Sequence, residues 1–276
     1  MIYQQTIKYP VSLTGISLRN GDLCTLKLSP NEEQTGIRFF TVTNGKVEII
    51  DCDTTSVCDT MCSTNIGIDD ISISTVEHLM SVLHILNIDN LDITVVGSGI
   101  PILDGSALSL YYLVKSAGIK RLPYNRTYID VSTTIEIKTK TSRIYVEPYD
   151  GFEIDMHIIY DHPLIGEQRY KYNKEVDYIT EIAPARTFAR LDDIKKLQEL
   201  GVIKGGSKEN AIILDDEKVI NTELYWPDEF VRHKVLDFIG DIYMSGPIKG
   251  KFECCCTGHN TNIKFLNMIK DQLESK

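Results

Sequence analysis

FVRHKVLDFIGDIYMSG, residues 230–246, reads as one long helix that sets Arg232, His233, Lys234, Asp237 and Asp241, all ionisable, in a largely apolar segment. His233, Asp237 and Asp241 recur at i, i+4 and i+8, so they stack one above the other on a single face. Phe230, Val231, Val235, Leu236, Phe238, Ile239 and Ile242 surround them. Carboxylates on so apolar a helix are costly unless they are paired or bound to a metal. The spacing alone also fits the polar stripe of a solvated amphipathic helix. Glu77-His78, far upstream, narrows the choice. Two ligands on one helix, a third at His78 and a general base at Glu77 make the set a hydrolytic zinc ion needs, with one position open to water. The expectation is a zinc-dependent hydrolase.

Glu77 and His78 lie in STVEHLMSVLHILNI, whose apolar positions 76, 79, 80, 82, 83 and 86 have helical spacing. Ser74 or Thr75 is the expected N-cap. Before it, TIKYPVSL, CTLKLSP, IRFFTV and KVEII read as strands, with a hairpin turn at Asn44-Gly45. Residues 51–72 read as polar and irregular. LDITVVG is a strand and ALSLYYLVKSAGI a helix closed by Gly118. The charged, proline-containing IKRLPYNRT (119–127) marks a boundary. Beyond it, TYIDVSTTIEIKT, SRIYVEPY and FEIDMHIIY are strand-like. FARLDDIKKLQELG is an amphipathic helix, NAIILDD a strand and TNIKFLNMIKDQLES a final helix. Strands followed by helices, twice over, indicate an α+β fold in two layered domains, 1–123 and 124–276.

With 276 residues, 42% hydrophobic and 25% charged, the chain has the composition of a globular protein able to bury a large core. A net charge of −10 argues against general nucleic-acid binding. The N-terminus has no signal-peptide pattern and no apolar run is long enough for a transmembrane segment, so a cytoplasmic protein is expected. Seven cysteines, the run Cys254–Cys256 among them, show no paired CxxC spacing and read as free thiols that act as small buried hydrophobes, with a cysteine-ligated metal site as the lesser alternative. His259, in Thr-Gly-His-Asn, carries no signal by itself. Thr187, after Ala-Pro-Ala-Arg, is placed at a strand-to-helix junction, where a hydroxyl usually caps a helix. Gly205-Gly206-Ser207 reads as a flexible turn and only a weak phosphate loop; no Walker or GxGxxG pattern occurs.

STVEHLMSVLHILNIDN, IPILDGSA, APARTF, GGSKENAIIL, FVRHKVLDFIGDIYMSG and TGHNTN, in that order, resemble the motifs of the UDP-3-O-acyl-N-acetylglucosamine deacetylases, zinc amidases of lipid A biosynthesis in Gram-negative bacteria. The resemblance spans nearly the whole chain. It implies one Zn2+ per chain held by His78, His233 and Asp237, with Glu77 as general base and His259 as general acid. Asp241 would orient His259 and favour its protonated form, and Thr187 would donate to the oxyanion. Lys234 and Phe188 would contact substrate. The implied fold is a two-domain sandwich, each domain a β-sheet packed on two α-helices, with a βαβ insert in the second domain at about 188–215. That insert would form an acyl-chain tunnel lined by Ile194, Leu197, Leu200, Val202 and Ile203. The implied reaction hydrolyses the 2-acetamido group of UDP-3-O-(3-hydroxyacyl)-N-acetylglucosamine, the committed step of lipid A biosynthesis. The oligomeric state is left open by the sequence, with a monomer as the expectation, and no nucleic-acid partner is expected. Arg19, Ala189 and Ser98-Gly99 depart from the family pattern, where His, Gly and Pro-Glu are usual. Two rival readings are a zinc amidohydrolase for a different acylated amino sugar, and a non-enzymatic binder of nucleotide sugars or acyl chains.

Overall fold

The computed structural model describes residues 2–43 and 46–274. The expected turn at Asn44-Gly45 therefore lies outside the described residues. The first half runs β1 (Tyr3–Ile7), β2 (Val11–Ile16), β3 (Leu23–Pro30), β4 (Ile37–Thr43), β5 (Lys46–Asp51), β6 (Val57–Asp59), β7 (Asn65–Ile68), β8 (Ile71–Ile73), α1 (Glu77–Ile85), β9 (Leu91–Val96), α2 (Leu108–Ser116) and β10 (Ile119–Asn125). The second runs β11 (Ile129–Asp130), β12 (Ile135–Lys138), β13 (Arg143–Glu147), β14 (Phe152–Ile159), β15 (Glu167–Tyr172), α3 (Tyr178–Glu181), β16 (Phe188–Arg190), α4 (Leu191–Glu199), β17 (Ile212–Leu214), α5 (Glu229–Ile242), β18 (Ile248–Cys255) and α6 (His259–Glu274).

Two main sheets organise these elements into an α+β fold. One has the order β2-β3-β9-β4-β5; the other has β12-β13-β18-β14-β15, with β11 paired to β18. Strand alternation sets their inner faces: Cys24, Leu26 and Leu28 on β3 are buried while Leu23 and Lys27 face outward. The helices lie against these faces, and one continuous core runs from Leu26 and Phe39 through Leu79 and Leu83 to Phe238 and Phe252.

Several segments differ from the sequence expectation. TIKYPVSL is two strands, because Lys8–Pro10 breaks it and Pro10 has no N–H for a ladder. Within the boundary segment, Ile119–Asn125 is strand β10, which pairs antiparallel with β1. Residues 51–72 contain a short 3-10 turn and the strands β6, β7 and β8, which form a small antiparallel sheet. FAR at 188–190 is strand β16 and not the first turn of a helix; it pairs parallel with β17 across α4, giving a βαβ unit. α1 begins without a Ser or Thr cap. Its N-cap position is Val76, whose N–H donates to the Thr64 carbonyl, while Thr75 is left-handed at φ 63°. The neighbouring strand segment has taken over the capping task.

α1 and α5 make the closest helix contact. A Cβ at Gly240 would sit 2.0 Å from the carbonyl oxygen of Glu77, so only glycine lets the two backbones meet here. Helix propensity alone predicts that Gly240→Ala stabilises α5 by about 1 kcal/mol. The steric conflict at the α1 backbone is larger. Gly240→Ala should destabilise the protein by at least about 2 kcal/mol, read as a lower urea midpoint; an unchanged or raised midpoint would show that the helices can part without cost.

Candidate metal and catalytic site

The α1–α5 contact brings Glu77 and His78 against His233, Asp237 and Asp241. All five are buried: Asp241 is 0% exposed and Asp237 4%. The stripe on α5 is therefore not solvated, and each charge needs a partner within the protein.

His233 Nδ1 lies 3.0 Å from the Ala185 carbonyl oxygen, so that nitrogen carries the proton and Nε2 keeps its lone pair. Burial drives the His233 pKa down to about 3, which keeps the ring neutral. Nε2 nevertheless faces Asp237 Oδ1 at 3.3 Å, and His78 Nε2 faces the same oxygen at 3.7 Å. Asp237 Oδ1 is buried and has no hydrogen-bond partner. Burial opposes the Asp237 charge, but His233 and Lys234 beside it hold the carboxyl well below the usual range. Lys234 Nζ donates to the other oxygen, Oδ2, at 2.9 Å. An ionised oxygen thus faces the lone pair of His233 with no proton between them. Such a set is satisfied by a cation. The ligand atoms of His78, His233 and Asp237 lie within 4.8 Å of one another. Two nitrogens and one carboxylate oxygen suit a zinc-like ion.

Glu77 and His259 stand beside this cluster, with His259 Nε2 3.8 Å from Glu77 Oε1. Burial raises the Glu77 pKa to about 7. Its Oε2 accepts from the Thr64 N–H at 3.0 Å. Burial disfavours the His259 cation, but Asp241 and Glu77 outweigh it and raise the pKa to about 9. Asp241 Oδ2 accepts from His259 Nδ1 at 2.9 Å and from Asn262 Nδ2 at 2.8 Å, and its Oδ1 accepts from Thr64 Oγ1 at 2.5 Å.

These groups open on a cavity of about 660 Å³. Thr187, Phe188, Lys234, Ile194, Leu197 and Ile203 also line it. Leu200 and Val202, expected with them, do not. α4 ends at Glu199, and Leu200 turns to solvent with 71% of its surface exposed. Thr187 caps no helix; it immediately precedes β16, with its N–H donating to the Gly105 carbonyl and its own carbonyl accepting from Ile212. Arg186 fixes this segment through a buried ion pair with Glu229 at the start of α5, 2.9 Å from Nε to Oε1. Lys234 reaches the cavity wall, but its ammonium is committed to Asp237, which raises its pKa against the effect of burial.

Residues not foreseen complete the site. Thr64 joins Glu77 and Asp241 through separate groups, and Asn262 adds a second donor to Asp241. Thr64 has no motif-level signal, since its role depends on which segment lands beside α1, and Asn262, although it closes the TGHNTN motif, has no role that the motif alone assigns. Thr75 lines the cavity with a buried hydroxyl that has no partner and a left-handed backbone, unusual for a β-branched residue. Gly205 is a packing residue and not a phosphate loop: a Cβ there would lie 2.0 Å from the Ser17 carbonyl oxygen. Arg19 pairs with Asp59 at 2.5 Å, and its carbonyl accepts from the Lys204 N–H. Gly99 runs beside Ser74, with room for no side chain. Ala189 lines the cavity.

A family model described as LpxC, UDP-3-O-acyl N-acetylglycosamine deacetylase, matches residues 4–271. Similar curated proteins named UDP-3-O-acyl-N-acetylglucosamine deacetylase include one from Lawsonia intracellularis, 42% identical over 98% of this chain and 89% of its own length. One from Nautilia profundicola is 41% identical over 94% of this chain and 89% of its own. One from Haemophilus influenzae is 38% identical over 98% and 90%.

The charge arrangement around His259 can be read directly by NMR titration of its imidazole in metal-free protein. The ring should titrate near pH 9, and Asp241→Asn should lower that value by roughly 1 to 3 pH units. Because the folded pKa is raised, the imidazolium contributes stability that is full below about pH 6.5 and is lost as pH rises through about 9. A His259 that titrates alike in both proteins would remove Asp241 as the source of the shift.

Proposed function

The chain belongs to the UDP-3-O-acyl N-acetylglycosamine deacetylase family, and on that premise we propose that it removes acetate from the 2-acetamido group of a UDP-3-O-acyl-N-acetylglucosamine by zinc-dependent hydrolysis, the committed step of lipid A biosynthesis. The observation that carries the proposal is the buried, partnerless Asp237 Oδ1 facing the Nε2 atoms of His78 and His233, with a carboxylate and an imidazole beside it. His78, His233 and Asp237 would hold one zinc ion, which when bound supplies Lewis acidity, acidifying water and drawing charge from a carbonyl.

The chain's own groups account for the proton movements. Glu77, with its pKa raised to about 7, is a base strong enough to take a proton from an attacking water yet ionised at mildly alkaline pH. Thr64 N–H fixes Oε2 and leaves Oε1 on the His259 side. His259 holds a proton at Nε2 while Nδ1 is bound to Asp241, so it can protonate the departing nitrogen. Amines are poor leaving groups, and this proton is required for C–N cleavage. Thr187, on the cavity wall, would donate to the oxyanion, a contribution of about 3 kcal/mol for such donors. Phe188 and Lys234 line the approach of the sugar.

The apolar side of the cavity, with Ile194, Leu197 and Ile203 from the βαβ unit, suits the 3-O-acyl chain. Each buried methylene contributes roughly 0.8 kcal/mol, so a chain of several carbons can dominate affinity. Among the described residues no helix is long and apolar enough to cross a membrane. The lipid portion of the substrate is instead given an apolar cavity within the fold.

The direct test is acetate release from UDP-3-O-acyl-N-acetylglucosamine by protein loaded with one equivalent of zinc; zinc-loaded protein that releases none would overturn the assignment. Glu77→Ala should keep zinc but lose roughly 10²- to 10⁴-fold in kcat. His233→Ala should lose zinc itself, measured by metal analysis after dialysis. The rate should follow a bell in pH. Its acid limb reports Glu77, at or below about 7 because a nearby cation favours the carboxylate, and its alkaline limb reports His259 near 9. A profile flat through pH 9 would argue against His259 as the acid.

A further inference from the structure

Thr64 directs all three of its polar groups at the helices that carry the acid–base pair. Its N–H donates to Glu77 Oε2 at 3.0 Å and its hydroxyl to Asp241 Oδ1 at 2.5 Å. Its carbonyl accepts from the Val76 N–H at 3.1 Å, where α1 begins. The residue is 0% exposed, so water is not at hand to replace any of these bonds. Thr64 does not line the cavity. Whatever it does for a bound substrate passes through the groups it holds.

His259 stands on the other side of the same two carboxylates. Its Nδ1 donates to Asp241 Oδ2 at 2.9 Å, and its Nε2 faces Glu77 Oε1 at 3.8 Å. The four residues close a ring in which each carboxylate turns one oxygen to Thr64 and the other to His259. The terminal torsion of an Asp or Glu side chain is broad. A carboxylate tethered at one oxygen can therefore turn and carry its partner out of line, whereas one tethered at both is fixed. Asn262 also donates to Oδ2, which leaves Oδ1 of Asp241 to Thr64 alone among the described residues.

Thr64 is itself anchored from outside the ring. It precedes β7, the middle strand of the β6-β7-β8 sheet. Asn65, the next residue, accepts at Oδ1 from Ser63 Oγ and the Thr75 N–H, and its Nδ2 donates to Asp59. The branched Cβ of Thr64 restricts χ1 and so limits where its hydroxyl can point. We propose that Thr64 is a positioning residue that sets the spacing of the Glu77 base and the His259 acid, acting on His259 through Asp241. What that spacing accomplishes rests on the deacetylase reading, but the positioning can be measured without substrate.

Thr64→Val keeps the shape and the N–H and removes the hydroxyl. The first readout is the NMR signal of the His259 Nδ1 proton in metal-free protein at neutral pH, where Asp241 and Glu77 hold the ring protonated. Loss of a donor at Oδ1 leaves more negative charge on Oδ2, so this proton should move downfield in Thr64→Val and stay in place in Thr64→Ser. The second readout is acetate release by zinc-loaded protein. Thr64→Val should lower kcat by about tenfold, the scale of a hydrogen bond to a charged group, with KM and zinc content unchanged, and Thr64→Ser should restore it. Combined with Asp241→Asn, the two losses should not add, because both act through one carboxylate. An unmoved Nδ1 proton in Thr64→Val, or losses that add, overturns the proposal. Wild-type protein that binds zinc and releases no acetate refutes the deacetylase reading instead, and the Nδ1 proton still decides the positioning. Should the valine variant not fold, Thr64→Ser decides: a displaced Nδ1 proton despite the retained hydroxyl overturns the proposal, and an unmoved one upholds it.

Discussion

Everything at the centre of this protein depends on the approach of α5 to α1 at Gly240. The helix backbones meet there at a distance that excludes even a Cβ, and Glu77 is the residue met. Because His78 follows Glu77 and His233 lies two turns before Gly240, this single approach sets the separation of all the ionisable groups between the helices. A contact through larger side chains would part the axes and scatter the cluster. The glycine thus has a cost in helix propensity that is offset by the close packing it permits.

Bringing five ionisable residues into a buried seam creates an electrostatic problem that the structure solves in two ways. On one side, Asp241 is fully paired: His259, Asn262 and Thr64 all donate to it, so its charge is stable and holds His259 protonated. On the other, Asp237 is left half satisfied, with Lys234 on one oxygen and two imidazole nitrogens turned toward the other. Complete pairing suits a group that positions a proton donor. Incomplete pairing suits a group that awaits a cation. The two carboxylates lie one helical turn apart, and their different roles follow from what other elements bring to them.

The cavity beside the seam depends on a second close approach. Gly205 touches the Ser17 backbone, and the N–H groups of Lys204 and Gly205 donate to the carbonyls of Arg19 and Leu18. These contacts tie the loop between α4 and β17 of the βαβ unit to the first half of the chain. Leu18 and Ile102 from that half and Ile194, Leu197 and Ile203 from α4 and its following loop then line the same cavity. The apolar residues of the insert were a fair guide to its lining only where the helix turns them inward, which is why Leu200 falls outside it.

The sequence by itself determined the chemistry-bearing residues and the fold class. His233, Asp237 and Asp241 are four apart, and helical periodicity alone places them on one face; Glu77-His78 sits in an equally periodic segment. The ordered motifs supplied His259 and Thr187, which spacing did not. β18 was missed although Ile248, Gly250, Phe252 and Cys254 alternate with Lys249, Lys251 and Glu253, and it proves central to the second sheet. Residues 51–72 escaped because short strands gain their stability from neighbours and leave little local signal. Only the tertiary structure decided that the α5 stripe is buried rather than solvated, that Thr64 and Asn262 serve Asp241, and that Val76 opens α1. Local sequence fixes periodicity, but burial and hydrogen-bond partners are properties of which elements meet, and those contacts join residues far apart in the chain.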